Sequence, residues 1–330
     1  MEYLIVIAVL IISIQIYFAI AKKYRIIDKP NERSSHRRIT LRGGGIIFPF
    51  AFLIFMGKEI LFNHYPLYLE PEPTPNFWLF GLGLLIICTI SFIDDIVDLS
   101  SRIRLVFHFI AVTLLMYFLN AFQLFPVWVI PVCYILIVGI LNAYNFMDGI
   151  NGISGLYSMV LLGSLWFVNE YLVEFVTSDF IVYPILAAGV FLYFNFRKRA
   201  KCFLGDIGSM GIAFWILGLL GLLIIKTGEL KYLLFLTVYG IDVIATIVER
   251  LKMKENILKP HRRHLYQMYA NEHQIDHRLI SFAYAFLQVI ICIFVIKQEQ
   301  LGYLIFPVVA IPALVLYIIL KFRAKDLETM

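Results

Sequence analysis

Charge is what this chain lacks. Only 15% of its residues are charged, while 61% are hydrophobic; a soluble domain runs at about a quarter charged and about half apolar. So small a polar share excludes a chain solvated on all sides and calls for a second, apolar solvent, the lipid bilayer. Cysteine is scarce too. Cys88, Cys133, Cys202 and Cys292 form no C-x-x-C pair and three of them lie inside apolar runs, which argues against a disulfide framework or a zinc ribbon. Low-complexity segments, internal repeats and a separate soluble domain are not visible, so one membrane-embedded domain over residues 1–330 is expected. The first apolar stretch, 4–20, carries no basic leader and no small-residue cleavage site, and reads as a retained helix rather than a cleaved signal.

What is present is apolar runs broken by charge. Eleven can be marked off: 3–21, 45–62, 77–93, 104–120, 124–141, 152–168, 180–196, 208–225, 231–248, 279–296 and 301–320. Their lengths approach the roughly 20 residues needed to cross a bilayer as a helix. Gly57-Lys58-Glu59 is expected to cut the second short, and Pro126 and Pro131 to interrupt the fifth. With the N-terminus outside and the C-terminus cytoplasmic, alternate loops collect the basic residues. All of the 28 Lys and Arg then face inward except Lys58, Lys226, Lys231 and Lys297. That bias supports both the orientation and the count. The expected fold is therefore all-α, a polytopic integral membrane protein of about eleven transmembrane helices.

Residues of catalytic type gather on the inward side. Loop one carries Asp28 to His36 and then Arg42-Gly43-Gly44-Gly45; glycines at a helix start suit a phosphate or a uracil carbonyl, although a plain anchoring turn explains them as well. Asp94-Asp95, with Asp98, Arg102 and Arg104 beyond, ends the third run. Adjacent carboxylates attract Mg²⁺ or divide base and binding duties, and they are costly at the end of an apolar span unless something holds them there. Arg104 suits a lipid phosphate. Asn142, Asn145, Asp148, Gly149 and Asn151 follow the fifth run, with Asn142 and Asn145 one turn apart on a helix face. Phe203 and Asp206 precede the eighth, where Asp206 could equally be a helix N-cap. His261-Arg262-Arg263-His264 lies in the long loop after the ninth. This His-x-x-His lacks the third ligand of familiar zinc sites, and its two arginines favour an anionic partner such as a diphosphate. Asp242 is an acid inside an apolar span, functional or paired by default; His108 is similar. Neither has a partner that the sequence reveals.

Taken together, Arg42-Gly43-Gly44-Gly45, Asp94-Asp95, Asn142-x-x-Asn145-x-x-Asp148-Gly149, Phe203-x-Gly205-Asp206-x-Gly208-Ser209 and the His loop resemble the polyprenyl-phosphate N-acetylhexosamine-1-phosphate transferases, glycosyltransferase family 4. The resemblance runs from about Asp28 to Gln267. It implies an enzyme that takes a UDP-N-acetylhexosamine donor and an undecaprenyl phosphate acceptor, uses Mg²⁺ (with Mn²⁺ as a substitute), releases UMP and starts a cell-surface glycan. Asp206 would be the principal metal ligand, with Asn145. Asn151 would read the uracil and Phe203 stack on it, with Gly43 and Gly44 in nucleotide binding. Arg262 and Arg263 would hold the diphosphate and Arg104 the lipid phosphate. Asp94, Asp95, Asp148, His261 and His264 would be catalytic, the aspartate pair as base, nucleophile or organiser. A homodimer is compatible with the family and nucleic acid is not expected. Leu41 stands where relatives often have Pro. The His-Arg-Arg-His-Leu-Tyr-Gln run resembles the O-antigen and capsule branch rather than the triple-histidine peptidoglycan enzyme. Two other readings remain: an intramembrane prenyltransferase, because Asp94-Asp95-x-x-Asp98 resembles its metal-diphosphate motif, and a lipid-phosphate transporter, which would consume no nucleotide sugar.

Overall fold

A computed structural model describes residues 1–30, 35, 38–62, 75–97, 99–256 and 261–328. His36 and Asp98 lie outside the described residues. The chain is an all-α polytopic membrane protein whose only sheet, among the described residues, is the two-residue pair β1 (Ile27–Asp28) and β2 (Thr40–Leu41). The helices are α1 (Glu2–Tyr24), α2 (Ile47–Phe62), α3 (Phe77–Val97), α4 (Ser101–Phe118), α5 (Ala121–Leu124), α6 (Val129–Met147), α7 (Ile153–Tyr171), α8 (Asp179–Asn195), α9 (Gly205–Thr227), α10 (Thr237–Lys252), α11 (Leu265–Gln267), α12 (His277–Lys297) and α13 (Ile305–Glu328). Each of the eleven apolar runs overlaps a helix. Among the described residues nine helical segments are long and apolar enough to cross a membrane, and α8 is a shorter apolar helix.

The boundaries that differ from expectation have local causes. The fifth run was expected over 124–141, yet α6 starts at Val129 and runs to Met147. Pro126 sits in the turn after α5, while Pro131 falls in the first turn of α6, where its missing N–H costs nothing. Gly57-Lys58-Glu59 does not cut α2 short; the helix continues to Phe62. Lys58 is satisfied there by Glu2, 2.5 Å away, and by Asp179, which ties the starts of α1 and α8 to α2. Helix α3 continues four residues beyond the predicted end, so Asp94 and Asp95 stand in its last turn.

Helix α9 is the axis of the bundle. Nearly all of it is buried, including Trp215, and it packs against α3, α6 and α7. Trp215 donates its indole N–H to the Phe180 carbonyl at 2.9 Å, and rings of Phe52, Phe80 and Phe180 surround it at centroid distances of 5.4–5.7 Å. This dry aromatic knot removes freedom from α9 and so fixes the position of Asp206 at its first turn. Apolar side chains on α1, α6 and α13, such as Ile12, Ile135 and Ile311, stay exposed, as lipid-facing surfaces do.

Candidate active site

The glycine run of loop one is a structural joint. Gly44 N–H donates to the Phe203 carbonyl at 2.8 Å and Gly45 N–H to that of Leu204 at 2.9 Å, while Phe203 N–H returns to Leu41 at 2.8 Å. A Cβ on Gly45 would stand 2.0 Å from the Gly208 Cα, so only glycine lets loop one lie against the start of α9. The N–H of Gly44 is thereby used by the protein. Gly43 turns the chain at φ 80° beside Tyr17, whose hydroxyl donates to the Arg42 carbonyl at 2.5 Å.

That joint delivers Arg42 between two acids. Its Nη2 lies 2.7 Å from Asp95 Oδ1 and 3.2 Å from Asp206 Oδ1. Burial works to lower the guanidinium pKa, but the charges of Asp95 and Asp206 prevail and raise it. Asp95 also accepts the backbone N–H of Asp206 at 3.0 Å and that of Ile207 at 3.4 Å. It therefore caps α9 from a different helix, satisfying donors that a helix start leaves open. Asp94 faces elsewhere. It accepts Leu99 N–H at 2.7 Å and pairs with Arg104 Nη1 at 2.7 Å. The adjacent carboxylates thus serve two different partners.

The loops after α6 and after α8 border a cavity of about 280 Å³, whose wall includes Arg42, Asp148, Asn151, Phe203, Asp206 and Gln267. Asp148 follows the last residue of α6. Burial pushes its carboxyl up to about 7; the Ser154 hydroxyl opposes this, and the charge of Asp206 adds to the rise. Asn195 stitches the two loops together, accepting Gly152 N–H at 2.6 Å and donating to the Cys202 carbonyl at 2.9 Å. Asn151 donates to the Arg197 carbonyl at 2.9 Å, and its own N–H meets His277 Nδ1 at 3.4 Å. A second, larger cavity of about 750 Å³ shares Asn151, Phe203 and His277 with the first. Arg38, Lys198, Arg199 and Arg262 also line it. The first chamber thus carries Asp28, Asp148 and Asp206 beside Arg42, and the second is richer in cations, with Asp276 among them.

The structure brings Asp148, Asn151, Phe203, Asp206 and Arg262 of the expected residues to these chambers. Others stand apart from the cavity walls. Asn145 donates to Ser209 Oγ at 3.2 Å, behind Asp206. Asn142 bonds back to Val138 in its own helix at 2.8 Å. Arg263 pairs with Glu255 at 2.6 Å. His261 accepts Arg263 N–H at 3.3 Å, and burial, with His264, Arg250 and Arg263 adding to it, lowers its pKa to about 4, so it is neutral at pH 7. His264 is 3% exposed and bonded to Asp242.

Sequence reasoning missed Gln267, His277, Asn195 and the bridging role of Arg42. Arg42 stood in the recognised motif, but nothing in the sequence links it to acids more than fifty and one hundred and sixty residues away.

A divalent cation can be tested against this donor set. Mg²⁺ takes one or two carboxylates and completes its shell with phosphate oxygens and water. Asp206, with 24% of its side chain exposed, and Asp148 in the same cavity fit that demand. An all-protein cage does not fit, since no three His, Cys, Asp or Glu side chains cluster among the described residues.

The model of "Glycosyl transferase family 4" matches residues 77–225, the stretch from α3 to α9 that carries Asp94, Asp95, Asp148 and Asp206. An undecaprenyl-phosphate alpha-N-acetylglucosaminyl 1-phosphate transferase of Thermotoga maritima is 29% identical over 260 residues, 76% of this chain and 75% of the relative. A probable undecaprenyl-phosphate N-acetylglucosaminyl 1-phosphate transferase of Bacillus subtilis is 26% identical over 294 residues, 84% and 76% of the two chains. The Escherichia coli K12 undecaprenyl-phosphate alpha-N-acetylglucosaminyl 1-phosphate transferase is 26% identical over 283 residues, 77% and 72%. Five motifs stand in order and four of their loops meet at one pair of cavities, in a chain similar to glycosyl transferase family 4 over residues 77–225 and to the undecaprenyl-phosphate N-acetylglucosaminyl 1-phosphate transferases over most of its length.

Proposed function

We propose that the protein transfers an N-acetylhexosamine 1-phosphate from its UDP derivative to undecaprenyl phosphate, at the cytoplasmic face of the bacterial inner membrane, as the first step of a cell-surface glycan. The observation that carries this reading is the shared wall of the two chambers: Asn151, Phe203 and His277 stand between the carboxylates of one and the cations of the other. A nucleoside diphosphate sugar has the matching parts, a flat base for Phe203, amide-reading edges for Asn151 and two phosphates for Arg262 and its basic neighbours. The relatives' names supply the acceptor class.

In this mechanism a phosphate oxygen of the lipid attacks the phosphorus attached to the sugar. The bond from that phosphorus to the oxygen bridging to UMP breaks, and UMP leaves with the electron pair. Arg104, held by Asp94 at the end of α3, receives the lipid phosphate as it reaches the surface. Arg262 holds the donor phosphates and Asp95 keeps Asp206 in register. Mg²⁺ at Asp206 and Asp148 would neutralise charge as two anionic phosphates approach. Positioning and neutralisation account for the rate, so no covalent intermediate on the protein is needed.

The test is to follow phosphorus. Donor labelled in the phosphate next to the sugar should give a labelled lipid diphosphate sugar and unlabelled UMP. Unlabelled inorganic diphosphate formed from a prenyl diphosphate, with the labelled nucleotide sugar left intact, would defeat the reading in favour of prenyl transfer; lipid bound and moved with no nucleotide consumed would favour transport.

A further inference from the structure

Asp242 takes no part in the chemistry above, yet it is the most fully satisfied acid inside the bundle. It lies midway along the membrane span Leu230–Lys252 and is 1% exposed. A carboxylate at that depth costs about 2.5–3.5 kcal/mol on insertion scales, and this one meets five donors. Oδ2 accepts the Tyr284 hydroxyl at 2.7 Å. Oδ1 meets His264 Nδ1 at 3.1 Å, Leu265 N–H at 3.2 Å, Thr246 Oγ1 at 3.3 Å and the Tyr317 hydroxyl at 3.4 Å. Two of the five come from adjacent residues of the basic loop, His264 and Leu265.

The contact with His264 is attractive only when Nδ1 carries the proton, so Asp242 sets the tautomer. Nε2 is buried and has no partner among the described residues. Asp242 is therefore the polar group that orients the ring. From there the packing is continuous to the chambers. The His264 ring stacks at 5.8 Å on Tyr266, whose hydroxyl donates to the Phe146 carbonyl at 2.9 Å and presses on Gly149, where a Cβ would stand 2.2 Å from that oxygen. Asp148 is the next residue. On the other side, the His261 ring lies 4.9 Å from His264 and leads to Arg262 on the wall of the cationic chamber. Gln267, three residues beyond His264, lines the acidic one.

We propose that Asp242 is a positioning residue for the donor: by anchoring the His264 ring and the Leu265 amide, it seats the 261–267 segment against both chambers. The proposal rests on the donor-binding reading given above. Its consequence is a division between the substrates, because the anchored segment carries donor contacts, whereas the lipid phosphate is assigned to Arg104 on α4.

The test is Asp242→Asn in the full-length protein, with kinetics for each substrate and backbone hydrogen exchange over 261–272. The amide keeps an acceptor toward the loop but loses the charge. The expected result is a rise of about tenfold in KM for the nucleotide sugar, a KM for polyprenyl phosphate within about twofold of wild type, and faster exchange in 261–272. Combining it with His264→Gln should add little to the larger single effect, since both cut one link. If Asp242→Asn does not fold, His264→Gln alone must give the same split. Equal changes in both KM values, additive effects, or unchanged exchange in 261–272 would overturn the proposal. Wild-type protein that makes no UMP with any donor defeats the parent reading instead. The exchange measurement then decides this one: faster exchange in the variant supports the anchor and unchanged exchange refutes it.

Discussion

Asp95 accepts the backbone N–H of Asp206 at 3.0 Å, so a carboxylate on α3 closes the N-terminus of α9 from across the bundle. Its neighbour Asp94 does nothing of the kind and instead grips Arg104. The two acids should therefore fail differently. Asp95→Ala removes a cap, worth about 1 kcal/mol, and leaves the partly buried Arg42 with Asp206 as its remaining ion-pair partner. It should lower kcat by about a hundredfold or more and also lower the unfolding temperature. Asp94→Asn loosens Arg104 and should act chiefly on KM for the lipid. Separate titrations of the two substrates check this; matching kinetic defects in the two variants would count against divided roles.

Asp148 should give the enzyme an ionisation near neutrality, because burial raises its carboxyl to about 7. The sign follows directly. The folded pKa lies above the unfolded one, so the folded protein holds the proton more tightly, and stability falls as pH rises from about 4 through 7. Deprotonation supplies the negative charge that a divalent cation requires. In detergent without donor or metal, unfolding temperature should decline over that interval, and Mg²⁺ should recover more of it at pH 8 than at pH 6. Asp148→Asn should flatten both trends.

His261 should not control the acid limb of the rate. Its pKa is lowered to about 4 by burial, His264 and the nearby arginines, so it is uncharged throughout pH 6–8. His261→Gln should leave the shape of the pH profile over that range unchanged, whatever it does to the rate. Loss of a limb near pH 6.5 in the variant would show that the imidazole titrates at its ordinary value.

Gly45→Ala should be among the most damaging single-methyl additions in the protein. Its Cβ would meet backbone atoms of Gly208 at 2.0 and 2.6 Å, which no rotamer change relieves, and overpacking of this kind costs about 3 kcal/mol. Gly163→Ala, with nothing within 4 Å, should be neutral or slightly stabilising because alanine favours the helix. Thermal unfolding of the pair compares them; equal temperatures would mean that the contact of loop one with α9 is loose.

The all-α membrane fold was legible because bilayer crossing needs runs of apolar residues, and such runs announce themselves. Asp148, Asn151, Asp206 and Arg262 were legible as cavity-wall residues because their polar types interrupt those runs, and Phe203 because it stands in the motif of Asp206. What sequence hid was tertiary. Asp94 and Asp95 are neighbours in the chain, yet their different duties follow from where Arg104 and α9 come to lie. Asp242 reads as an isolated acid until α12, α13 and the basic loop close on it. Asn195 and His277 look like ordinary helix-end polar residues, and only the approach of Asn151 and Gly152, between α6 and α7, gives them work. The α6 start was misplaced because a proline in a turn and a proline in a first helical turn look alike before the backbone is known.

The proposed function is that this site joins a nucleotide sugar to a lipid phosphate. Its most direct test is UMP release by purified, detergent-solubilised protein given undecaprenyl phosphate and Mg²⁺, with UDP-N-acetylhexosamines supplied one at a time, alongside folded Asp206→Ala protein. UMP is expected only when lipid, metal and an accepted donor are all present, and none from the variant. UMP formed without lipid, or at the wild-type rate by Asp206→Ala, would contradict it.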